Sequence, residues 1–223
     1  MKPLLTMQWE HVLFLHWEAD AEAFQAQLPE GMELDTFNGR AVLGIIPFWM
    51  TGISLTRLPA LSRLSFPELN LRTYVRVNGR PGIYFFFLDA SHPLANRIAN
   101  TFFLLPYRPA RFHVSDKGAV SFQHRQKQGE TFHVRYRPDS PVFEAEHGSF
   151  AWWATERYHF FTKKAGSIWQ GDIQHRPWPL QKASMTILDN TISSRNMQPG
   201  RMLDPLYSRK LAVTAAGIKR VQL

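Results

Sequence analysis

The segment FPELNLRTYV, residues 66–75, alternates polar and apolar side chains as a β-strand with two different faces does. Successive side chains of a strand point to opposite faces, so Glu68, Asn70, Arg72 and Tyr74 share one face. That face meets either bulk water or an internal cavity. In a cavity, a carboxyl group can transfer protons and a guanidinium can bind a carboxylate or phosphate. The segment is therefore the first candidate for a functional site.

A second group of candidate residues lies in TERYHFFT, residues 155–162, which resembles a strand and contains Glu156 and His159. Glu68 and Arg72 are ~13 Å apart at Cα along an extended strand, so a direct salt bridge requires both side chains to lean together. Three interpretations stay open: a ligand site, a solvent-exposed sheet face, and a buried polar network of Glu68, Arg72 and Glu156 that fixes strand register.

Composition and motifs exclude several classes of chemistry. The 223 residues include no Cys, which excludes disulfides, thiolate nucleophiles and Cys-ligated metals. The nine His show no metal-binding spacing, and no nucleotide-binding loop or serine-hydrolase motif occurs. We therefore expect no metal site and no cofactor.

The net charge of +8 comes from basic residues that are dispersed along the chain. Because no nucleic-acid-binding motif accompanies them, we predict no nucleic-acid partner. No segment has the ~18 consecutive apolar residues of a membrane span, and the N-terminal segment lacks the uninterrupted apolar stretch of a signal peptide. These features predict a cytoplasmic protein with no membrane partner.

Strands dominate the predicted secondary structure, with two or three short helices between them. The helix signals are Asp20 as N-cap of a helix to Leu28, Ser91 or Asp89 as cap of a helix with Pro93 in its first turn, and Ser149 before Trp152 and Trp153. The main predicted strands are 8–17, 41–50, 66–77, 83–90, 119–125, 131–137 and 155–162, and residues 51–65 are predicted as a loop. This order predicts one domain over residues 1–223, built on a mostly antiparallel sheet.

Several segments, in their order along the chain, resemble one known family. They are residues 16–50, FPELNLRTYV, GRPGIYFFFLDA, LPYRPA (105–110), TERYHFFT and HRPWPL (175–180). Over about residues 8–185 the chain is similar to the YqjF-like family of uncharacterised bacterial proteins, within the acetoacetate-decarboxylase-like superfamily. The resemblance implies a cone-like, strongly bent antiparallel β-structure with an internal cavity, into which Glu68 projects. It also implies self-association, so a homo-oligomer is expected.

The resemblance does not extend to the nucleophile of acetoacetate decarboxylase, a Lys that forms a Schiff base. The segment most similar to the Lys-bearing one is LPYRPARF, which contains Tyr107 and Arg108 and no Lys. Arg stays protonated and cannot replace the amine, so the decarboxylase mechanism is not predicted.

The predicted ligand is a small anionic or carbonyl compound of unknown identity, and the chemistry is proton transfer. The predicted site residues are Glu68 and Tyr107 for catalysis, and Arg72, Arg108, Glu156 and His159 for binding. One alternative is a non-enzymatic binder of an apolar or amphipathic molecule, with Phe and Trp side chains lining the cavity. The other alternative is a scaffold whose polar network has only a structural role.

Overall fold

A computed structural model describes residues 3–55, 64–192 and 199–222 of the chain. Strands account for most of this part of the chain, and three short helices lie between them. The strands are β1 (Leu5–Ala19), β2 (Glu33–Leu34), β3 (Ala41–Leu55), β4 (Leu64–Val77), β5 (Arg80–Ala90), β6 (Tyr107–Asp116), β7 (Val120–Gln126), β8 (Thr131–Pro138), β9 (His159–Lys164), β10 (Ser167–His175), β11 (Leu180–Asn190), β12 (Leu206–Ala215) and β13 (Lys219–Arg220). The helices are α1 (Ala21–Gln25), α2 (Pro93–Phe102) and α3 (Phe150–Thr155).

The strands pair into one sheet that closes on itself twice. The first circuit runs through β5, β6, β7, β8, β11, β12, β1, β3 and β4, and returns to β5. The second circuit runs from β5 through β9 and β10 to β12, and returns along β1, β3 and β4. Pairing is antiparallel except where β5 meets β6 and β9. The predicted mostly β fold with a strongly bent antiparallel sheet is confirmed.

The strands that both circuits share are covered on both faces. On β4, Leu69 and Leu71 pack into a core with Phe122 of β7, inside the first circuit. Phe66, on the opposite face of β4, packs with Phe48 of β3 in a separate core. Because both faces are enclosed, even the polar positions of β4 are shielded from water along most of its length.

Two of the helix caps follow the sequence. The Asp20 side chain accepts a hydrogen bond from the Ala23 N–H at the start of α1, and Ser149 does the same for Trp152 at the start of α3. Helix α1 ends at Gln25, earlier than predicted, and the next two residues, Ala26 and Gln27, form a turn. Both N-cap predictions are confirmed.

Helix α2 begins at Pro93 with a different cap from those predicted. The ring Nδ1 of His92 accepts a hydrogen bond from the Ala95 N–H at 3.3 Å, so the predictions of Ser91 and Asp89 as caps are wrong. Asp89 belongs to β5 and is fully buried. At ten residues, α2 is the longest helix in the described ranges, and none of these helices has the length and apolarity to cross a bilayer.

Two predicted segments differ in the structure, and a third segment, to which no element was assigned, forms a strand. Residues Thr51 to Leu55 extend β3, and Leu64 and Ser65 begin β4, so neither part is a loop, while residues 56–63 of that predicted loop lie outside the described residues. The segment LPYRPARF contributes β6, which begins at Tyr107 and pairs in parallel with β5. The segment TERYHFFT begins at the end of α3, and its strand starts only at His159.

Candidate functional site

A cavity of about 160 Å³, partly open to its surroundings, is lined mainly by strands of the second circuit and by α2. Most of its lining side chains are apolar. The polar side chains in its wall include Glu68, Asn70, Arg72, Tyr107, Arg157 and His159. Glu68 is 1% exposed and Arg72 is 7% exposed, so the interpretation of FPELNLRTYV as a solvent-exposed sheet face is wrong. Glu68, Asn70 and Arg72 of this face line the cavity, while Tyr74 is buried without lining it.

Glu68 and Tyr107 form a hydrogen-bonded pair in the cavity wall. The Tyr107 hydroxyl donates to Glu68 Oε2 at 2.7 Å. Burial raises the pKa of Glu68 to about 7, although hydrogen bonds from Tyr107 and Asn70 oppose the rise, and the negative charge of Asp89 adds to it. Burial and the neighbouring Glu68 raise the pKa of Tyr107 well above its ordinary value, so its hydroxyl stays protonated. Glu68 can therefore give or take a proton near neutral pH.

Arg72 is a buried cation without a carboxylate partner among the described residues. Its Nη2 donates to the Tyr74 hydroxyl at 3.2 Å and weakly to the Ala154 carbonyl at 3.5 Å. Its Nε–H is buried and makes no hydrogen bond to the described chain. A buried guanidinium with an unsatisfied N–H, in a cavity wall, is suited to bind an anion.

The surroundings of Arg72 hold it in place without neutralising it. His16 Nε2 lies 2.7 Å from the Tyr74 hydroxyl, which in turn donates to the Ala154 carbonyl at 3.0 Å. Burial and the charge of Arg72 lower the pKa of His16 well below its ordinary value, so His16 is neutral. The Phe14 ring lies 5.7 Å from the Arg72 guanidinium carbon and adds a cation–π contact.

Arg157 is a cavity-lining cation that the sequence analysis missed. Its Nη1 binds Asp35 Oδ2 at 2.6 Å, and its guanidinium lies over the Trp153 ring at 4.5 Å. Its Nη2 is buried without a hydrogen-bond partner in the described chain. The residue lies within the TERYHFFT segment, but that segment was interpreted as a strand, which obscured the position just after α3 that turns Arg157 inward.

Arg108 lies outside the cavity wall, contrary to the prediction that it binds the ligand. Tyr107 and Arg108 are successive residues of β6, so they point to opposite faces of the sheet. Arg108 binds Asp89 through two hydrogen bonds of 2.7 and 2.9 Å, and its Nη2 also lies 3.1 Å from Glu130 Oε2. His124 Nε2 lies 2.8 Å from the same Asp89 carboxylate. We call Asp89, Arg108, His124 and Glu130 the Asp89 cluster.

Glu156 also lies outside the cavity wall. Its Oε1 accepts a hydrogen bond from the Trp178 N–H at 3.1 Å, and its Oε2 accepts one from the Tyr158 hydroxyl. These bonds join the end of α3 to the chain after β10. Within the described residues no hydrogen bond or ion pair joins Glu156 to Glu68 or Arg72, so the predicted three-residue network does not form.

His159 lines the cavity, and its ring is fixed by a contact with the Asp172 carboxylate. Its Nδ1 lies 2.8 Å from Asp172 Oδ1, and Lys219 binds the other carboxylate oxygen of Asp172 at 3.0 Å. The part of the chain that the structure describes contains no group of three or more His, Asp or Glu suited to a metal ion. No described Lys lines the cavity.

Comparisons with known proteins bear on the family and the fold. Residues 6–219 match the family DUF2071, described as an uncharacterized conserved protein. The chain is 41% identical over 213 residues to the uncharacterized protein YqjF of Bacillus subtilis (strain 168), covering 93% of this chain and 88% of YqjF. The predicted resemblance to the YqjF-like family is confirmed.

Solved structures with the same fold are enzymes by their descriptions. The enduracididine biosynthesis enzyme MppR in complex with pyruvate has a TM-score of 0.70 at 12% identity, covering 100% of this chain and 92% of MppR. An acetoacetate decarboxylase from Legionella pneumophila has a TM-score of 0.68 at 13% identity, covering 99% of this chain and 88% of the decarboxylase. An acetoacetate-decarboxylase-like enzyme from Sphingomonas wittichii RW1 has a TM-score of 0.66 at 13% identity, with 100% and 94% covered. At these identities the likeness shows the fold alone.

Proposed function

This chain belongs to the DUF2071 family, and we propose that it is an enzyme that transfers protons at a carbon next to the carbonyl of a small carboxylate. One observation carries the proposal. A hydrogen-bonded Glu68–Tyr107 pair and a buried Arg72 without a carboxylate partner in the described chain line the same cavity. The first supplies an acid or base and the second a site for an anion.

In the proposed reaction, the Arg72 guanidinium binds the substrate carboxylate. The ionised Glu68 carboxylate takes a proton from the carbon next to the carbonyl, and the electron pair of that C–H bond forms the enolate. Protonated Glu68 then returns a proton to the same carbon or to a product carbon. Tyr107 holds the carboxyl group in position through its 2.7 Å hydrogen bond. A Glu68 pKa of about 7 places both forms of this group within reach at neutral pH.

The ligand class in this proposal is a 2-oxo acid. Such a compound has the carboxylate that Arg72 requires, and a carbon made acidic by the adjacent carbonyl. The structural neighbour MppR is described in complex with pyruvate, the smallest 2-oxo acid that has an enolisable carbon, which supports this choice as a first probe. No Lys is required, because enolisation by a carboxylate base needs no Schiff base.

The test is the exchange of pyruvate methyl protons for deuterium in D₂O, followed by proton NMR with and without the protein. We expect the wild type to accelerate exchange. Glu68→Gln loses the acceleration but keeps the thermal stabilisation by pyruvate, whereas Arg72→Met loses both. Glu156→Gln is the matched control, because it makes the same change at a carboxylate outside the cavity, and it exchanges as the wild type does. Equal exchange in Glu68→Gln and wild type rules the proposal out.

A second candidate function is a non-enzymatic binder, and the mainly apolar lining of the cavity favours it. A binder of this kind is stabilised against heat by octanoate or another amphipathic compound, and it does not accelerate exchange in any 2-oxo acid. The exchange assay separates the two functions, because only the enzyme accelerates exchange in a 2-oxo acid, whereas both can be stabilised by octanoate.

A further inference from the structure

The pairing of neighbouring strands arranges the side chains of the cavity wall in rows. A row here is a set of residues that are paired with one another across adjacent strands. On the cavity face of β4 the order is Phe66, Glu68, Asn70 and Arg72, each two residues from the next. Neighbours on one face of a strand are ~7 Å apart, so Arg72 and Phe66 lie on opposite sides of Glu68. A ligand that is bound by Arg72 and reaches Glu68 therefore extends, if it is longer, toward Phe66.

The next row, at Phe66, is formed by three large side chains on three adjacent strands. Trp9 of β1 is paired with Met50 of β3, and Met50 is paired with Phe66 of β4. All three line the cavity. The following row pairs Ile53 with Leu64, which also line it. Trp9 adds one buried indole N–H without an acceptor in the described chain, and the other four side chains are apolar.

The other side of Glu68 has a different character. The row that contains Asn70 pairs it with Ile46 and Leu88, and the next row contains Arg72 between Gly44 and Phe85. Gly44 matters here because a Cβ at this position would lie 3.2 Å from Arg72 Cγ, so the small residue leaves room for the Arg72 side chain. Along β4 the cavity wall therefore presents Arg72 among apolar side chains, then the proton-transfer centre at Glu68, then the rows of Phe66 and Leu64, which contain no charged side chain.

We propose that the substrate is a 2-oxo acid with an apolar tail, of about six to eight carbons, whose tail occupies the rows formed by Met50, Phe66 and Leu64. This inference rests on the proposed function, and it names the substrate class of the same site. A tail of about four carbons beyond the reacting carbon reaches the Phe66 row, which lies ~7 Å from the Glu68 row. The rows of Phe66 and Leu64, both of which line the cavity, set the length over which added carbons can be buried.

Tail length should then govern affinity. Burying one methylene in an apolar site strengthens binding about fourfold, so each added carbon tightens binding by about this factor until the far row is filled. Pyruvate, with no tail, is predicted to be the weakest of the series, and 2-oxohexanoate and 2-oxooctanoate the strongest.

The experiment uses the full chain and the straight-chain 2-oxo acids from pyruvate to 2-oxodecanoate. For each, kcat/KM for deuterium exchange at the carbon next to the carbonyl is measured by NMR, and binding is measured by calorimetry. We expect both quantities to rise about fourfold per carbon and to level off at about six to eight carbons. A flat or falling series with pyruvate exchange intact overturns the inference and leaves the proposed function standing.

Two substitutions locate the tail. Met50→Trp fills the Phe66 row, so it should abolish the gain from added carbons while pyruvate exchange persists. Leu64→Trp, at a partly buried position further along, should shorten the preferred tail and provides the test if Met50→Trp does not fold. An unchanged chain-length preference in a folded variant of either kind contradicts the placement of the tail.

The saturated acids from acetate to octanoate separate the two possible failures. If no 2-oxo acid exchanges with the wild type, the proposed function fails. Affinity for the saturated acids then tests the tail site alone, since the carboxylate and tail are still present. Affinity that does not rise with chain length in this series overturns the tail site as well.

Discussion

Two groups of buried charges lie on neighbouring strands of this protein, and they differ in how they are compensated. In the Asp89 cluster, the carboxylate of Asp89 accepts hydrogen bonds from Arg108 and meets His124. In the cavity, Arg72 has no carboxylate partner and Glu68 has no cation partner among the described residues. Paired buried charges stabilise a fold only when every partner is present, whereas unpaired ones are costly unless a ligand compensates them.

Strand alternation explains why the two groups stay separate although they are close in sequence. Leu88 and Tyr107 are paired between β5 and β6 and face the cavity, while Asp89 and Arg108 are the next pair along and face the other core. One step along each strand thus changes the role of a side chain from lining a cavity to joining strands. The role of a charged residue in a strand therefore depends on the face of the sheet that it occupies and on the residues that it contacts.

The largest expected effect is on stability, in the Asp89 cluster. Asp89→Asn removes the carboxylate that Arg108 and His124 share, and breaking a buried ion pair costs about 3–5 kcal/mol. Urea unfolding measures the loss. Glu68→Gln makes the same chemical change in the cavity, and we expect its free energy of unfolding at pH 7.5 to equal or exceed that of the wild type. A similar loss in both variants would break the comparison.

The next prediction distinguishes the role of Arg72 in ligand binding from the role of Arg108 in stability. Arg72→Met should weaken pyruvate binding by about 30-fold or more, because it removes the cation for the ligand carboxylate, while stability changes by less than about 1 kcal/mol. Arg108→Met should do the reverse: it leaves Asp89 and Glu130 without their shared cation and lowers stability by about 1–3 kcal/mol, with binding unchanged. Calorimetry and urea unfolding of both variants decide the matter, and exchanged roles would refute our assignment.

A third effect is the dependence of stability on pH. The folded pKa of Glu68 is raised to about 7 from an ordinary value of 4.5, so between these values the folded state keeps a proton that the unfolded state has lost. The contribution of Glu68 is therefore fully present below pH 4.5 and is lost at about 1.4 kcal/mol per pH unit as pH rises through this window. Unfolding free energies at pH 5 and pH 7.5 should show this loss in the wild type, after subtraction of the Glu68→Gln variant. Parallel pH curves for the two proteins would contradict it.

The smallest effect concerns Tyr107. Tyr107→Phe removes a hydrogen bond that lowers the pKa of Glu68, so this pKa should rise by about one unit further. The pH profile of deuterium exchange should move toward higher pH by the same amount. Asn70 is the other donor that lowers the Glu68 pKa, so it provides a second test of the same effect. Asn70→Leu should shift the pH profile of exchange in the same direction. A profile that is unmoved in both variants would show that Glu68 is not the titrating base.

The local sequence pattern was sufficient to predict several features of this fold. The polar alternation of FPELNLRTYV predicted which residues of β4 share a face, and Asp20 and Ser149 marked the start of two helices. These features depend on residues within a few positions of one another. The family resemblance added the bent sheet and the cavity, and thereby the position of Glu68.

The features that could not be predicted depend on contacts between distant segments. Arg108 was assigned to the ligand because its partner Asp89 is 19 residues away and reaches it only through the parallel pairing of β5 and β6. Arg157 was missed because its inward position follows from the end of α3 and from the ion pair with Asp35, 122 residues away. Charge compensation in a core is a property of the assembled sheet, and a single sequence does not reveal it.

The most direct test of the central claim is the carboxyl titration of Glu68, followed by carbon-13 NMR in protein labelled at Glu side chains. The resonance is assigned by its absence in Glu68→Gln. We predict a midpoint of about pH 7, as expected for a buried carboxyl group that lacks a cation partner and lines a cavity. A midpoint near the ordinary value of 4.5 would contradict the account, because it would mean that Glu68 is solvated or paired and is not poised for proton transfer.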